Sequence, residues 1–184
     1  MKKRIAIISS SVRDGRLSHR VALFVRSYLG RMENIETDLI DLLEYDFPVF
    51  HERFAFQKNP SEALLEFAER FNAADGLIIV TPVYNADFPA ALKNVIDLFY
   101  EEWKHRPVAT VSVTSGMVPP IATIQKVQSL LLKLDALVVP GICTVTQAGE
   151  SFAEDGTPTQ SEKAEGGVRL MVEDLLWLIS SIKA

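Results

Sequence analysis

Five times along the chain, a short apolar run is followed by apolar residues spaced three and four apart. The runs fall at 4–9, 35–42, 76–81, 108–114 and 137–146, the last bent at Pro140-Gly141. Continuous apolar runs of this length are the pattern of strands buried on both faces; the run at 35–42 alternates in part. The spaced positions mark one face of a helix each time. They are Val21, Phe24, Val25 and Tyr28; Leu64, Phe67, Ala68 and Phe71; Leu92, Val95, Ile96 and Phe99; and Ile124, Val127, Leu131 and Leu134. Val168, Met171, Val172, Leu175, Leu176 and Ile179 make the fifth and clearest stripe. Pro60 and Ser61 are placed to begin the second helix. Strands alternating with helices predict an α/β fold, a five-stranded parallel sheet with helices on both faces.

The length of 184 residues suits a single domain, 1–184. The polar stretch 147–165 reads as a surface loop within it. Nineteen Lys and Arg against 24 Asp and Glu leave a charge of −5, with no basic stripe for a polyphosphate backbone, so nucleic acid is not an expected partner. The one cysteine, Cys143, lies in an apolar run and is expected in the core. No His/Cys spacing predicts a metal site. The basic start Met1-Lys2-Lys3-Arg4 precedes too short an apolar run for a signal peptide, and no run is long enough to span a membrane. The expectation is a cytoplasmic protein.

In an open parallel sheet, ligands bind beyond the carboxyl ends of the strands. Three loops there have unusual composition. The first, SSSVRDGRLS, places the hydroxyls of Ser9, Ser10, Ser11 and Ser18 with Arg13 and Arg16 around a helix start. Unpaired N–H groups, hydroxyls and guanidinium forks suit a phosphate. The alternative is a solvated turn with Ser18 as an ordinary cap. The second loop, TPVYNADF, offers the flat face of Tyr84 and the amide of Asn85 between Pro82 and Pro89, as a wall for a planar ligand or as a rigid turn capping the core. The third, 114–120, contains Gly116, which admits a ligand close to the backbone, or is a plain turn. Lys93 and Asp97 read as a solvated helical pair. His19, His51 and His105 are scattered. Trp103 and Trp177 read as core or interface anchors on helices. Phe47, Phe50, Phe54 and Phe56 are expected to cover the core or meet another subunit.

Three segments in order, SSSVRDGRLSHRVA, TPVYNADFPAALKNVIDLFY and Ser115-Gly116, resemble the NAD(P)H-dependent FMN reductases of flavodoxin-like fold, over about residues 4–140. The resemblance implies a three-layer flavodoxin-like sandwich that binds FMN. Ser11, Arg13, Arg16 and Ser18, in the loop that Ser9 opens, would contact the phosphate. Pro82, Val83, Tyr84 and Asn85 would line the isoalloxazine, with Ser115, Gly116 and Met117 near its pyrimidine end. It implies an oxidoreductase taking hydride from NADPH or NADH and passing electrons to a small-molecule acceptor: a quinone, an azo compound, free flavin or a metal oxyanion. A homodimer or homotetramer is implied too. The chain departs from the family at Met117-Val118-Pro119-Pro120, where relatives commonly keep a glycine-rich stretch and where each proline removes an N–H donor. The rival readings are a flavodoxin-type electron carrier and a flavin-binding sensor.

Overall fold

The computed structural model describes residues 2–182. At its centre lie β1 (Lys3–Ser9), β2 (Ile35–Asp41), β3 (Gly76–Pro82), β4 (Pro107–Val113), β5 (Leu137–Val138) and β6 (Cys143–Val145). All pairs are parallel, in the order β2-β1-β3-β4-β5, with β6 also on β4. The expected fifth strand is thus two short pieces. Pro140 cannot donate to the ladder, and a Cβ on Gly141 would come 3.0 Å from Met171 Cα, so the chain bends hard against the last helix there.

Helices α1 (Leu17–Gly30), α5 (Ala148–Ser151) and α6 (Ser161–Ile182) cover one face. On the other face lie α2 (Glu62–Ala73), α3 (Ala90–Leu98) and α4 (Ile121–Lys133). The stretch expected to be one long loop therefore holds α5, whose four residues are too few to show a period, and the first turn of α6. Ser61 does cap α2, accepting from Leu64 N–H at 3.2 Å. Alternate strand residues feed opposite cores. Ile5, Ile7, Ile78 and Val111 meet Val21, Val168 and Leu175; Ala6, Ile8, Leu77 and Val108 meet Leu64, Phe71, Val95 and Leu131. Every residue of β3 and β4 is buried, which explains the unbroken apolar run at 77–80 and the absence of charge along β4, where the small polar Thr110 and Ser112 are buried too.

The second core is aromatic. Phe71 lies parallel to Phe99 with centroids 5.6 Å apart, and Trp103 stands edge-on to Phe71 at 4.8 Å. Trp103 sits in a 3-10 turn, not an amphipathic helix, and is wholly buried, whereas Trp177 on α6 is exposed. Phe47 and Phe54 pack on this cluster, while Phe50 and Phe56 stay at the surface. Truncating Phe71 to alanine costs about 3–5 kcal/mol in a site of this kind.

Strand β2 is an edge of the sheet. Arg70 of α2 reaches over it, donating through Nη2 to Asp38 Oδ1 at 2.6 Å and to Leu39 O at 2.7 Å. Arg4 also pairs with Asp38, at 3.1 Å. Burial alone would raise the Asp38 pKa, but the hydrogen bonds and charges of Arg70 and Arg4 prevail and hold it below its ordinary value.

Candidate active site

The sheet order reverses between β1 and β3, since β1 leads outward to β2 and β3 leads the other way. The loops after these two strands flank that crevice, where an open parallel sheet takes its ligand. Ser10 N–H donates to Val80 O at 3.1 Å, fastening the start of the first loop to β3.

The first loop is built around buried hydroxyls: Ser9, Ser10, Ser11 and Ser18 are all at most 1% exposed. Ser9 Oγ bonds His19 Nδ1 at 3.0 Å. Ser11 Oγ bonds the Tyr84 hydroxyl at 2.6 Å and accepts Arg13 N–H at 3.3 Å. The hydroxyls of Ser10 and Ser18 are buried with no hydrogen-bond partner. Ser18 does not cap α1, because the helix starts one residue before it and Arg16 holds the cap position without a side-chain bond. The helix start therefore keeps its N–H donors uncapped by any side chain, with no acidic residue in its first turn. Arg13 projects into solvent.

Arg16 is in the loop but already engaged. It donates to Ser11 O at 2.7 Å and makes a two-pronged pair with Asp41, the last residue of β2. Both side chains are nearly buried, at 12% and 8% exposure. His19 Nδ1 lies 3.4 Å from the same carboxylate. Burial lowers the His19 pKa; Asp41 pulls it back up, and Arg16 and Arg26 push it down again. Asp41 and His19 were not among the residues expected here. The β1–β2 register, which sets Ser9 beside Asp41, brings them in, and a carboxylate ending a strand was the one available signal.

The second loop is a two-residue hairpin. Tyr84 and Asp87 exchange backbone hydrogen bonds at 2.8 and 2.9 Å around Asn85 and Ala86, whose φ angles are +51° and +60°. Positive φ at both central positions belongs to a type I′ turn, for which alanine is a strained occupant. Lys126 of α4 braces it, with Nζ 2.9 Å from Ala86 O and 2.8 Å from Asp87 Oδ2. Pro82 is buried and Val83 spends its N–H on Val113 O, while Asn85 stands exposed. This wall is a fixed turn that also presents Tyr84, whose ring is oriented by its bond to Ser11.

In the third loop, Ser115, Gly116 and Met117 are all exposed. Gly116 is saturated, its N–H given to Thr114 Oγ1 and its carbonyl accepting Gln147 N–H at 2.9 Å. Ser115 and Met117 are the members free to face a ligand. Met117 and Val118 are each 78% exposed, an apolar lip on the loop after β4. The structure thus joins the first and second loops by a direct bond, and the third to them through β4.

A family model described as NADPH-dependent FMN reductase matches residues 3–150. The chain belongs to this family. Among its relatives, an NAD(P)H-dependent FMN reductase of Schizosaccharomyces pombe is 31% identical over 113 residues, or 59% of this chain and 56% of that one. A quinone reductase of Pseudomonas putida is 32% identical over 95 residues, 49% of this chain and 50% of that one. The chain thus matches about half the length of these curated relatives. The flavoenzyme NAD(P)H:(acceptor) oxidoreductase of Paracoccus denitrificans has the same fold, with a TM-score of 0.77 at 21% identity, covering 96% of this chain and 97% of that one. The fold is the flavodoxin-like α/β sandwich of this reductase family. Among the described residues no helix is long and apolar enough to cross a membrane.

Proposed function

We propose that residues 1–184 act as one FMN-binding oxidoreductase domain, cytoplasmic and homodimeric or homotetrameric, which uses NADPH or NADH to reduce a flat small-molecule acceptor such as a quinone. The observation that carries the reading is the pair of buried, partnerless hydroxyls of Ser10 and Ser18 beside the uncapped start of α1. Buried hydroxyls without partners are costly, and a phosphate at a helix start satisfies them.

Bound FMN would supply the hydride- and electron-transfer chemistry that the side chains lack. The chain's part is to bind and orient. Ser11, Ser18 and Arg13 offer donors to the phosphate, while Arg16 adds a positive charge that Asp41 already offsets. Tyr84, Asn85 and the backbone from Pro82 form a rigid wall for the ring system, and Ser115 and Met117 close its far edge. The apolar lip of Met117 and Val118 favours a planar, weakly polar acceptor. The exposed Val49, Phe50 and Phe56 fit a loop that a second subunit covers. The quinone reductase of Pseudomonas putida supports the acceptor class.

The test is an absorption spectrum of the purified protein after incubation with FMN and desalting, followed by anaerobic addition of NADPH or NADH. Retained flavin that bleaches, and whose colour returns on adding a benzoquinone, is the expected result. Loss of all flavin on desalting rejects the cofactor, and retained flavin that neither nucleotide bleaches rejects the reductase.

A further inference from the structure

The function above gives no part to His19, which stands in the first turn of α1 directly after Ser18. Its Nδ1 lies 3.0 Å from Ser9 Oγ and 3.4 Å from Asp41 Oδ2. A neutral ring needs only the serine hydroxyl, whereas the N–H of an imidazolium finds an acceptor in both groups. The side chain is 24% exposed, so protons reach it from solvent. Asp41 at the end of β2 and Glu44 in the turn after it favour the charged ring; Arg16 in the first loop and Arg26 on α1 oppose it. Burial opposes it most, and the balance in the chain alone lies towards the neutral form. With the ring neutral, Arg16 and Asp41 cancel and the cluster carries no net charge.

A phosphate changes that balance. Ser18, whose buried hydroxyl has no partner among the described residues, precedes His19 in the chain, and Ser9 ties His19 to the start of the same loop. A phosphate that takes the Ser18 hydroxyl and the first N–H groups of α1 brings a charge of about −1.5 to −2 to the turn that carries His19. An anion so placed favours the imidazolium.

We propose that phosphate binding at the first loop is coupled to proton uptake by His19, so that the imidazolium adds to the preference for a phosphorylated over an unphosphorylated flavin as the pH falls. The coupling is reciprocal: what the phosphate adds to the affinity for the proton, the proton adds to the affinity for the phosphate. The inference rests on the flavin reading, and riboflavin, which has the ring but no phosphate, separates the two.

The experiment measures the affinities of FMN and riboflavin by fluorescence quenching from pH 7.5 down to 5, for the full chain and for His19→Gln. The ratio of the two affinities removes what the ring contributes, and comparison with the variant removes the titration of the phosphate itself. Over that range the ratio is expected to move towards FMN by at least about three-fold more in the parent than in the variant, which is half a pKa unit of coupling. If riboflavin does not bind, the FMN affinities alone are compared in the same way. Circular dichroism checks folding, and His19→Asn takes the place of the glutamine variant if that one does not fold. Coincident pH dependence in parent and variant, or a shift in the opposite sense, overturns the proposal and leaves the flavin reading standing. Binding of neither flavin at any pH removes the flavin reading and the coupling with it.

Discussion

The Tyr84 hydroxyl and Ser11 Oγ, 73 positions apart in sequence, share a 2.6 Å hydrogen bond that ties the loop after β1 to the loop after β3. It fixes the ring of one loop relative to the hydroxyls of the other across the crevice where the sheet order reverses.

Removing that bond is expected to loosen the site without unfolding the chain. Tyr84→Phe keeps the ring and deletes the tie, and a typical hydrogen bond contributes about 1 kcal/mol. The expected outcome is FMN affinity weaker by about five-fold in a fluorescence-quenching titration, from the same figure. Ser11→Ala in the Tyr84→Phe background should add less than it does alone, because the two changes remove one shared interaction. Strict additivity would show that the bond does not couple the loops.

Asp41 is the counter-charge of a nearly buried guanidinium. Asp41→Asn keeps the shape but leaves Arg16 without its neutralising partner, and breaking a buried pair in this way costs about 3–5 kcal/mol. Urea unfolding should register a loss of that order. A change under 1 kcal/mol would mean that water reaches the pair freely.

The lowered pKa of His19 makes stability depend on pH in a definite direction. Its ordinary value is 6.5, and burial lowers it in the folded chain. The unfolded chain therefore takes up this proton first. The contribution is whole above pH 6.5 and is lost as pH falls below that value towards the folded pKa. Melting temperatures from pH 7.5 down to 5 should decline in the parent and decline less in His19→Gln. Parallel curves would assign the slope to other groups.

Two glycines should respond oppositely to alanine. Gly156 has φ of +85°, and a Cβ there would lie 2.7 Å from Arg20 O and 2.8 Å from Phe24 N, so strain and backbone collision combine. A loss of more than about 2 kcal/mol is expected, the left-handed conformation alone costing about 1–2. Gly166→Ala in α6 meets open space and should gain about 1 kcal/mol from helix propensity. Chemical denaturation of both variants checks the contrast.

The sheet and its helices were legible because burial on both faces forces apolar runs such as those of β1 and β3. The position of the site followed from that layout. Side-chain pairings were not legible. Arg16 reads as a free phosphate ligand until the β1–β2 register sets Asp41 beside Ser9, and no local pattern encodes that register. Ser18 as a helix cap is the lesser alternative to a phosphate ligand, and only the start of α1 at Leu17 shows that its hydroxyl is not a cap. Trp103 and Trp177 look alike in sequence, yet one fills the aromatic core and the other faces solvent, because composition alone does not say which side of a short turn or long helix points inward.

Arg70 bears on how many copies of this chain can share a crowded solution. A strand at the margin of a sheet offers its outward backbone groups to any extended segment that drifts past, and runaway stacking begins that way. On β2, one carbonyl is already occupied by the guanidinium, which Asp38 holds in place from the same strand. An incoming strand would have to displace a charge before forming its bond there. The guanidinium thus works against pairing a neighbour's strand onto β2 at Leu39.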